Sequence, residues 1–145
     1  MIAIDTNILV YSFLEQSPWH STAANALREL IDGGERWAIP WPCAHEFLSV
    51  VTNPRIYKPA SSMTLALKVV EEWSQIETMS FLSEGPGYRE LMTELTVTGQ
   101  ITGPKIHDAR IAALCLYHGV RELWSCDRDF SRFPRLKVRN PLVGR

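Results

Sequence analysis

Four acidic side chains that end or interrupt apolar stretches are the residues of this sequence best suited to chemistry. They are Asp5 in MIAID, Glu46 in CAHEFLSVV, Asp108 in HDARIAALC and Asp127 after ELWSC, with Asp129 two residues further on. A carboxylate on an apolar face is costly to bury unless something positive binds it. If the fold gathers these side chains, a divalent cation is the simplest compensation, and hard oxygen ligands favour Mg²⁺ or Mn²⁺. The pattern therefore predicts a carboxylate metal site, whose natural chemistry is metal-assisted phosphodiester hydrolysis.

The acids on predicted helices carry most of this prediction. Asp108 lies at the N-terminal end of the apolar stripe of its helix, and Glu46 aligns with Cys43 and Val50, so both acids are expected to face the core side. Two like charges ~4 Å apart cost about 4 kcal/mol at an effective dielectric constant near 20. A cluster of three or four carboxylates should therefore be partly protonated or neutralised by cations.

Each acid also has a structural interpretation. Asp5 precedes a predicted helix and is a favoured N-cap, while Asp127 and Asp129 could be surface loop acids. A helix N-terminus stabilises an anion by ~0.3–1 kcal/mol, which alone would account for Asp108. It does not account for Glu46, which lies in the middle of its helix.

The cysteines and histidines offer a zinc site as an alternative. Cys43-Ala-His45 and Cys115-Leu-Tyr-His118 supply two thiols and two imidazoles, but their spacings match none of the usual zinc patterns. The third cysteine is Cys126, and an odd number of cysteines in a chain of this composition is typical of free thiols. We expect these thiols to be free and mostly buried.

Length and composition indicate one ordinary globular domain spanning residues 1–145. Hydrophobic residues make up 46% and charged residues 21% of the 145 positions, so disorder is not expected beyond the termini. The first residues have no basic segment and carry Asp5 inside their apolar run, which argues against a signal peptide. No stretch approaches the ~20 apolar residues of a membrane span. A cytoplasmic location and no membrane partner are the expectations.

Charge is unevenly distributed along the chain. Residues 1–104 carry 6 Lys and Arg against 12 Asp and Glu, whereas residues 105–145 carry 9 against 4. The basic residues of the second part could be ordinary solvated positions, or they could line a path for a polyanion beside the acidic site. Those residues are Lys105, Arg110, Arg128, Arg132, Arg135, Lys137 and Arg139.

The elements that would position these residues alternate between strands and helices. Apolar β-branched runs predict strands at 1–5, 36–39, 78–82, 122–126 and 137–139. Helical periodicity and capping signals predict helices from residue 6 and at 20–31, 42–52, 63–75, 84–97 and 105–118. This alternation predicts an α/β sandwich around a mostly parallel sheet, in which ligands bind beyond the carboxyl ends of the strands. Asp5 and Asp127 both follow predicted strands and should lie close together.

Several segments of the sequence match a known family in order and separation. They are IDTNILV, PCAHEFLSVV, HDARIAALCLYHGV, LWSCDRDF and the NPL tail. With these segments the chain resembles the PIN-domain ribonucleases, and most closely the VapC toxins of bacterial type II toxin–antitoxin pairs. The resemblance implies a three-layer α/β/α sandwich with a central mostly parallel sheet, and a Mg²⁺- or Mn²⁺-dependent endoribonuclease that cleaves single-stranded regions of RNA.

The resemblance also implies roles for individual residues. The metal-binding set would be Asp5, Glu46, Asp108 and Asp127, with Asp129 as a more variable fifth acid. Supporting polar positions would be Thr6, Asn7 and Ser125, where Ser125 replaces a threonine common in the family. His107 has no family role that we transfer, and we interpret it as a helix-start histidine.

Partners follow from the same resemblance. VapC toxins are usually homodimers, and a small antitoxin neutralises them by laying a segment across the acidic groove. Trp19, Trp37, Trp41, Trp73 and Tyr57 could supply apolar contact area for such interfaces, although at least half of them are expected in the core.

Two other functions are compatible with the sequence. One is a PIN nuclease of RNA maturation or DNA repair without a toxin role, which an antitoxin-like reading frame upstream would argue against. The other is a non-catalytic RNA- or partner-binding PIN module, which should have lost acids that this chain retains.

Overall fold

Five short strands form one parallel sheet in the computed structural model, which describes residues 1–144. The strand order is β3-β2-β1-β4-β5, and all the strand pairings are parallel. The strands are β1 (Ile2–Ile4), β2 (Trp37–Pro40), β3 (Met79–Leu82), β4 (Glu122–Trp124) and β5 (Val138–Arg139). The chain builds the sheet outward from β1 to β3 and then returns to add β4 on the other side of β1. The order of the strands therefore reverses between β1 and β4, where a crevice opens beyond the strand ends.

Six α-helices flank this sheet and complete the predicted α/β/α sandwich. They are α1 (Thr6–Phe13), α2 (His20–Asp32), α3 (Trp41–Val51), α4 (Met63–Ser74), α5 (Tyr88–Thr98) and α6 (Ile106–Tyr117). Two short 3-10 turns, Gly103–Lys105 and Arg128–Arg132, precede α6 and follow β4. Among residues 1–144, no helix combines the length and apolarity that crossing a lipid bilayer would require.

The sheet interior explains why so short a set of strands is stable. Every residue of β1 and β2 is buried, as expected for parallel strands covered on both faces. Ile2 aligns with Trp37 on one side and with Glu122 on the other, which fixes the heights of the neighbouring strands. Trp37 is fully buried, and a side chain of this size contributes ~2–3 kcal/mol when it leaves water. Central burial thus fixes the strand register that the site depends on.

The aromatic residues divide between core and surface. Trp37 and Trp73 lie in the core, and Tyr57 packs against it. Trp19 and Trp41 are exposed. The expectation that at least half of this set is core therefore holds only if the partly buried Tyr57 is counted with Trp37 and Trp73.

The predicted element boundaries agree with the structure to within a few residues. The helix predicted to begin at residue 42 begins instead at Trp41, because Pro42 fits the first turn, where its missing N–H needs no partner. The 3-10 turn Arg128–Arg132 was not predicted, since five residues are too few to show a periodic pattern.

Candidate functional site

Asp5 occupies the point where β1 ends and α1 begins. Its Oδ1 accepts a hydrogen bond from the Thr6 backbone N–H at 2.8 Å, so the predicted N-cap role is real. Its Oδ2 accepts from Ser125 Oγ at 2.6 Å and from Asn7 Nδ2 at 3.2 Å. Every one of these donors is neutral, and the side chain is only 5% exposed. Burial outweighs the hydrogen bonds and raises the pKa of Asp5 to about 6.

One hydroxyl connects Asp5 to the next acid along the sheet edge. Ser125 follows β4 directly, and while its Oγ donates to Asp5 it accepts from the Asp127 backbone N–H at 3.0 Å. Asn7 braces the same loop, because its Nδ2 donates to Ser125 Oγ at 3.3 Å and its Oδ1 accepts from the Cys126 N–H at 3.4 Å. The predicted supporting positions Asn7 and Ser125 therefore hold the carboxyl ends of β1 and β4 together.

Glu46 corrects one expectation from the sequence. It is exposed and does not face the core, because the buried face of α3 is made by Cys43, Ala44, Phe47 and Val51. Glu46 lies one residue, or about 100° around the helix, from Phe47 and so lies at the edge of the apolar stripe. From there its Oε2 accepts a hydrogen bond from Thr6 Oγ1 at 2.9 Å, which aims the carboxylate toward the end of β1.

A second group of acids surrounds the start of α6. Asp108, Asp127 and Asp129 each place one carboxylate oxygen within 4.8 Å of the other two. Asp108 is half-buried in the first turn of α6, and its pKa is raised by burial and by the charge of Asp127. Asp127 Oδ1 accepts from the Asp129 N–H at 2.8 Å, and this local turn folds Asp129 back toward the cluster.

These acids meet at one pocket. A cavity of about 220 Å³ opens beyond the carboxyl ends of β1 and β4. It is lined by the four predicted acids Asp5, Glu46, Asp108 and Asp127, by the polar Thr6 and Asn7, and by Val10, Tyr11, Val50, Tyr57 and Ile111. Asp129 belongs to the carboxylate cluster without lining this cavity. The apolar walls were not predicted, since each belongs to an ordinary helix face or loop in the sequence.

The donor set fits a hard divalent cation. Carboxylate oxygens bound to one Mg²⁺ at about 2.0–2.1 Å can be at most ~4.2 Å apart. The oxygens of Asp108, Asp127 and Asp129 lie within 4.8 Å of one another, which is a similar span. Asp5 adds a buried carboxylate whose polar contacts are with neutral groups, so its charge is not balanced by a bonded cation. The chemistry of these residues thus suits a divalent cation that prefers oxygen ligands.

The alternative zinc set does not assemble. His118 Nε2 contacts the Ser83 carbonyl at 2.8 Å, and His45 is exposed beside Trp41. All three cysteines are free, with Cys43 and Cys115 buried and Cys126 half-buried, as expected. Within residues 1–144, the group of side chains able to hold an ion is the aspartate cluster.

The basic residues do not form one continuous path. Arg110 pairs with Glu84 at 3.1 Å and Lys105 bonds Asp129, so both are engaged by acids. Arg128 and Arg132 are exposed on the 3-10 turn after Asp127, and neither forms an ion pair with the part of the chain described here.

The remaining basic side chains serve other acids. Arg135 pairs with Glu94, while Lys137 and Arg139 lie 2.8 and 4.0 Å from the carboxylate of Glu122. Glu122 is the first residue of β4 and therefore lies at the amino ends of the strands, whereas Asp5 lies at their carboxyl ends. Part of the positive charge of residues 105–145 is therefore structural.

Comparison with known proteins gives consistent matches along the whole chain. The PIN domain family model matches residues 2–136. The chain is 26% identical over 140 residues to Ribonuclease VapC48 of Mycobacterium tuberculosis, covering 97% of each chain. It is 30% identical over 144 residues to VapC ribonuclease Mb2897 of Mycobacterium bovis, covering 99% of this chain and 97% of the relative.

A solved structure supports the fold independently. A chain of a toxin–antitoxin complex from Klebsiella pneumoniae superposes with a TM-score of 0.65 at 19% identity. The match covers 97% of this chain and 98% of the other. At this identity the likeness concerns the fold alone.

Proposed function

This chain belongs to the PIN domain family, and we propose that it is a VapC-type toxin, an endoribonuclease that hydrolyses phosphodiester bonds in single-stranded regions of RNA. The observation that carries the proposal is the convergence of four carboxylates, from four separate segments, on one pocket beyond β1 and β4. The VapC ribonucleases among its relatives support RNA as the substrate. Residues 1–145 would act as a single PIN domain.

The site residues divide the proposed work between binding and positioning. Asp5, Glu46, Asp108 and Asp127 would hold Mg²⁺ or Mn²⁺, with Asp129 at the rim of the set. When bound, the cation would polarise the phosphodiester and lower the pKa of a water nucleophile. No side chain needs to become covalently attached to the substrate.

The polar neighbours would keep the carboxylates in place. Ser125 and Asn7 donate to Asp5, and Thr6 donates to Glu46, so each acid has its orientation fixed by a neutral group. Such hydrogen bonds around ligands typically change metal affinity or activity by 10–100-fold when removed.

Arg128 and Arg132 are the proposed contacts for the RNA backbone beside this site. Both are exposed, at the two ends of the 3-10 turn that follows Asp127, and neither forms an ion pair in the contacts described, so their charge would be available to attract phosphate. Lys105 and Arg110, also predicted to bind RNA, would have to leave Asp129 and Glu84 first.

The proposed partners are a cognate antitoxin and a second copy of the chain. The likeness to a chain of a toxin–antitoxin complex supports an antitoxin as partner. That the antitoxin covers the acidic pocket is proposed from the family resemblance. A homodimer and a cytoplasmic location are proposed from the family resemblance and from the RNA substrate.

The test is cleavage of an RNA pool by the purified protein with Mg²⁺, with Mn²⁺ or with a chelator. We expect cleavage with either ion, none with the chelator, and none with Asp108→Asn. Glu94→Gln, prepared in the same way, is the matched control, because it removes one surface carboxylate away from the pocket. Cleavage that survives chelation, or equal cleavage by Asp108→Asn, would overturn the proposal.

A further inference from the structure

Lys105 is a cation of the chain that already contacts the aspartate cluster. Its Nζ hydrogen-bonds Asp129 Oδ2, and Asp129 is one of the three acids whose oxygens lie within 4.8 Å of one another. This bond holds the pKa of Asp129 below its ordinary range. The same ammonium also opposes the raised pKa of Asp108. One acid of the cluster is thus neutralised internally, whereas Asp108 and Asp127 have no ion pair among the described residues.

The backbone around Lys105 fixes it at this position. The 3-10 turn Gly103–Lys105 begins at a glycine with φ 58°, a conformation that favours glycine, and Pro104 stiffens the next step. α6 continues directly from this turn, so Lys105 and Asp108 stand three residues apart at helical spacing. The side chain of Lys105 is 38% exposed, less than that of Arg89 (90%) or Arg135 (55%) in ion pairs on the surface.

We propose that Lys105 takes the place of a second divalent cation in this site. By binding Asp129 it withholds that carboxylate from the metal-binding set, so that the protein takes one divalent ion per chain. The ion pair with Lys105 neutralises one of the three acids of the aspartate cluster, and Asp108 and Asp127 remain free of ion pairs among the described residues. A second ion would have to displace Lys105 or bind beside a like charge, which is unfavourable.

This arrangement gives Lys105 a role in the proposed reaction, and in that respect the inference rests on the proposed function. An ammonium has three N–H donors, and Asp129 uses one of them. The others are available to a phosphodiester that enters beside Asp108 and Asp127. Lys105 would then act as a positioning residue for phosphate, with Asp129 holding it in place.

The experiment counts bound Mn²⁺ directly, by following the electron paramagnetic resonance signal of free Mn²⁺ during titration. Wild type is compared with Lys105→Met, an unbranched side chain only one heavy atom shorter and without the charge, and with Lys105→Arg, which keeps the charge. Lys137→Met is the matched control, because Lys137 also pairs with a carboxylate but at the opposite edge of the sheet. Thermal melting shows which variants remain folded.

We expect one Mn²⁺ per chain for wild type, Lys105→Arg and Lys137→Met, and a second Mn²⁺ for Lys105→Met. Two ions bound by wild type, no ion bound by wild type, or no gain for Lys105→Met would each overturn the proposal. If Lys105→Met unfolds, Lys105→Gln replaces it with the same expectation.

RNA cleavage by the same samples separates this inference from the proposed function. At saturating Mn²⁺ we expect Lys105→Met to have a lower kcat than wild type, with Lys105→Arg recovering part of it. Mn²⁺-dependent cleavage by a wild type that binds two ions would overturn only the role of Lys105. The predicted change in stoichiometry without any cleavage would instead overturn only the nuclease.

Discussion

Two carboxylates at the ends of adjacent strands of the sheet both expose little surface to solvent, yet their pKa values are shifted in opposite directions. Asp5 follows the last residue of β1, and Glu122 is the first residue of β4; each is 5% exposed. Around Glu122, burial opposes ionisation, but Lys137, the Trp124 indole N–H and Arg139 hold its pKa below the ordinary value. Around Asp5 the donors are neutral, and its pKa is raised to about 6.

The difference shows what each end of the sheet is built for. At the amino ends of the strands the chain supplies its own cations: Lys137 and Arg139 pair with Glu122, which lines a cavity of about 610 Å³. At the carboxyl ends of the strands the chain supplies hydroxyl and amide donors, which orient Asp5 without neutralising its charge. A buried carboxylate without a cation destabilises the folded protein, and a bound metal ion would offset that destabilisation.

The largest expected effect compares the two acids in RNA cleavage. Asp5→Asn should lower kcat/KM by at least about 10³-fold, because loss of a ligand removes several kcal/mol of metal-derived stabilisation. Glu122→Gln should leave kcat/KM within roughly twofold, since the catalytic proposal does not use that edge of the sheet. Steady-state cleavage of one RNA substrate by both variants measures this. A similar loss in both would mean that the two ends of the sheet are not functionally distinct.

The next effect concerns stability and pH in the protein without metal. The pKa of Asp5 rises from 3.8 to about 6 on folding, so the folded state holds its proton more tightly than the unfolded state. Stability should therefore fall as pH rises from about 4 to about 6, by up to ~3 kcal/mol, and stay low above that range. Asp5→Asn keeps the N-cap to Thr6 and removes this penalty, so it should be about 1–3 kcal/mol more stable than wild type at pH 7.5.

Urea unfolding at two pH values tests this expectation. The advantage of Asp5→Asn should be present at pH 7.5 and largely absent near pH 3, below both pKa values, where both states of wild type are mostly protonated. Added Mn²⁺ should stabilise wild type and leave the variant unchanged. A variant less stable than wild type at pH 7.5 would contradict the account of Asp5 as an unneutralised acid.

A smaller change in stability, of opposite sign, is expected for Glu122 at the amino end of β4. Glu122→Gln removes the carboxylate that Lys137 and Arg139 share, and the pKa of Glu122 is lowered on folding. The stability that Glu122 contributes is present above its ordinary pKa of 4.5 and is lost as pH falls through its lower folded value. We expect Glu122→Gln to lose about 1–2 kcal/mol at pH 7, less than for a fully buried pair because Lys137 is 70% exposed. Equal urea midpoints for variant and wild type at pH 7 would contradict this.

The positions of the strands and helices can be predicted because they depend on sequence signals between neighbouring residues. Apolar runs, helix caps and glycine stops depend on neighbouring residues, and they place the strands and helices to within a few positions. The parallel sheet then requires that residues after β1 and β4 meet, which is why the closeness of Asp5 and Asp127 could be expected.

Side-chain partners across the fold could not be expected in the same way. The bond from Lys105 to Asp129 spans 24 residues and depends on the 3-10 turns at both ends, which have no periodic signature. Glu46 shows a different limit, because helical periodicity assigns a residue to a face only coarsely. Glu46 lies at the border of the apolar stripe and is exposed, even though Cys43, three residues before it, is buried.

The smallest effect extends the comparison from the acids to the arginines. Arg139 is committed to Glu122 and lies over the Trp124 ring at 5.5 Å, whereas Arg128 is exposed beside Asp127 without an ion pair in the described contacts. Arg128→Ala should raise KM for RNA a few-fold and reduce the salt dependence of binding by about one unit of slope, as loss of one phosphate contact does. Arg139→Ala should leave both quantities unchanged and instead lower the urea midpoint, because it removes a cation–π contact and a partner of Glu122. If Arg139→Ala weakens RNA binding as much as Arg128→Ala does, the basic residues of the C-terminal segment attract RNA collectively. The division between structural and RNA-binding arginines would then be wrong.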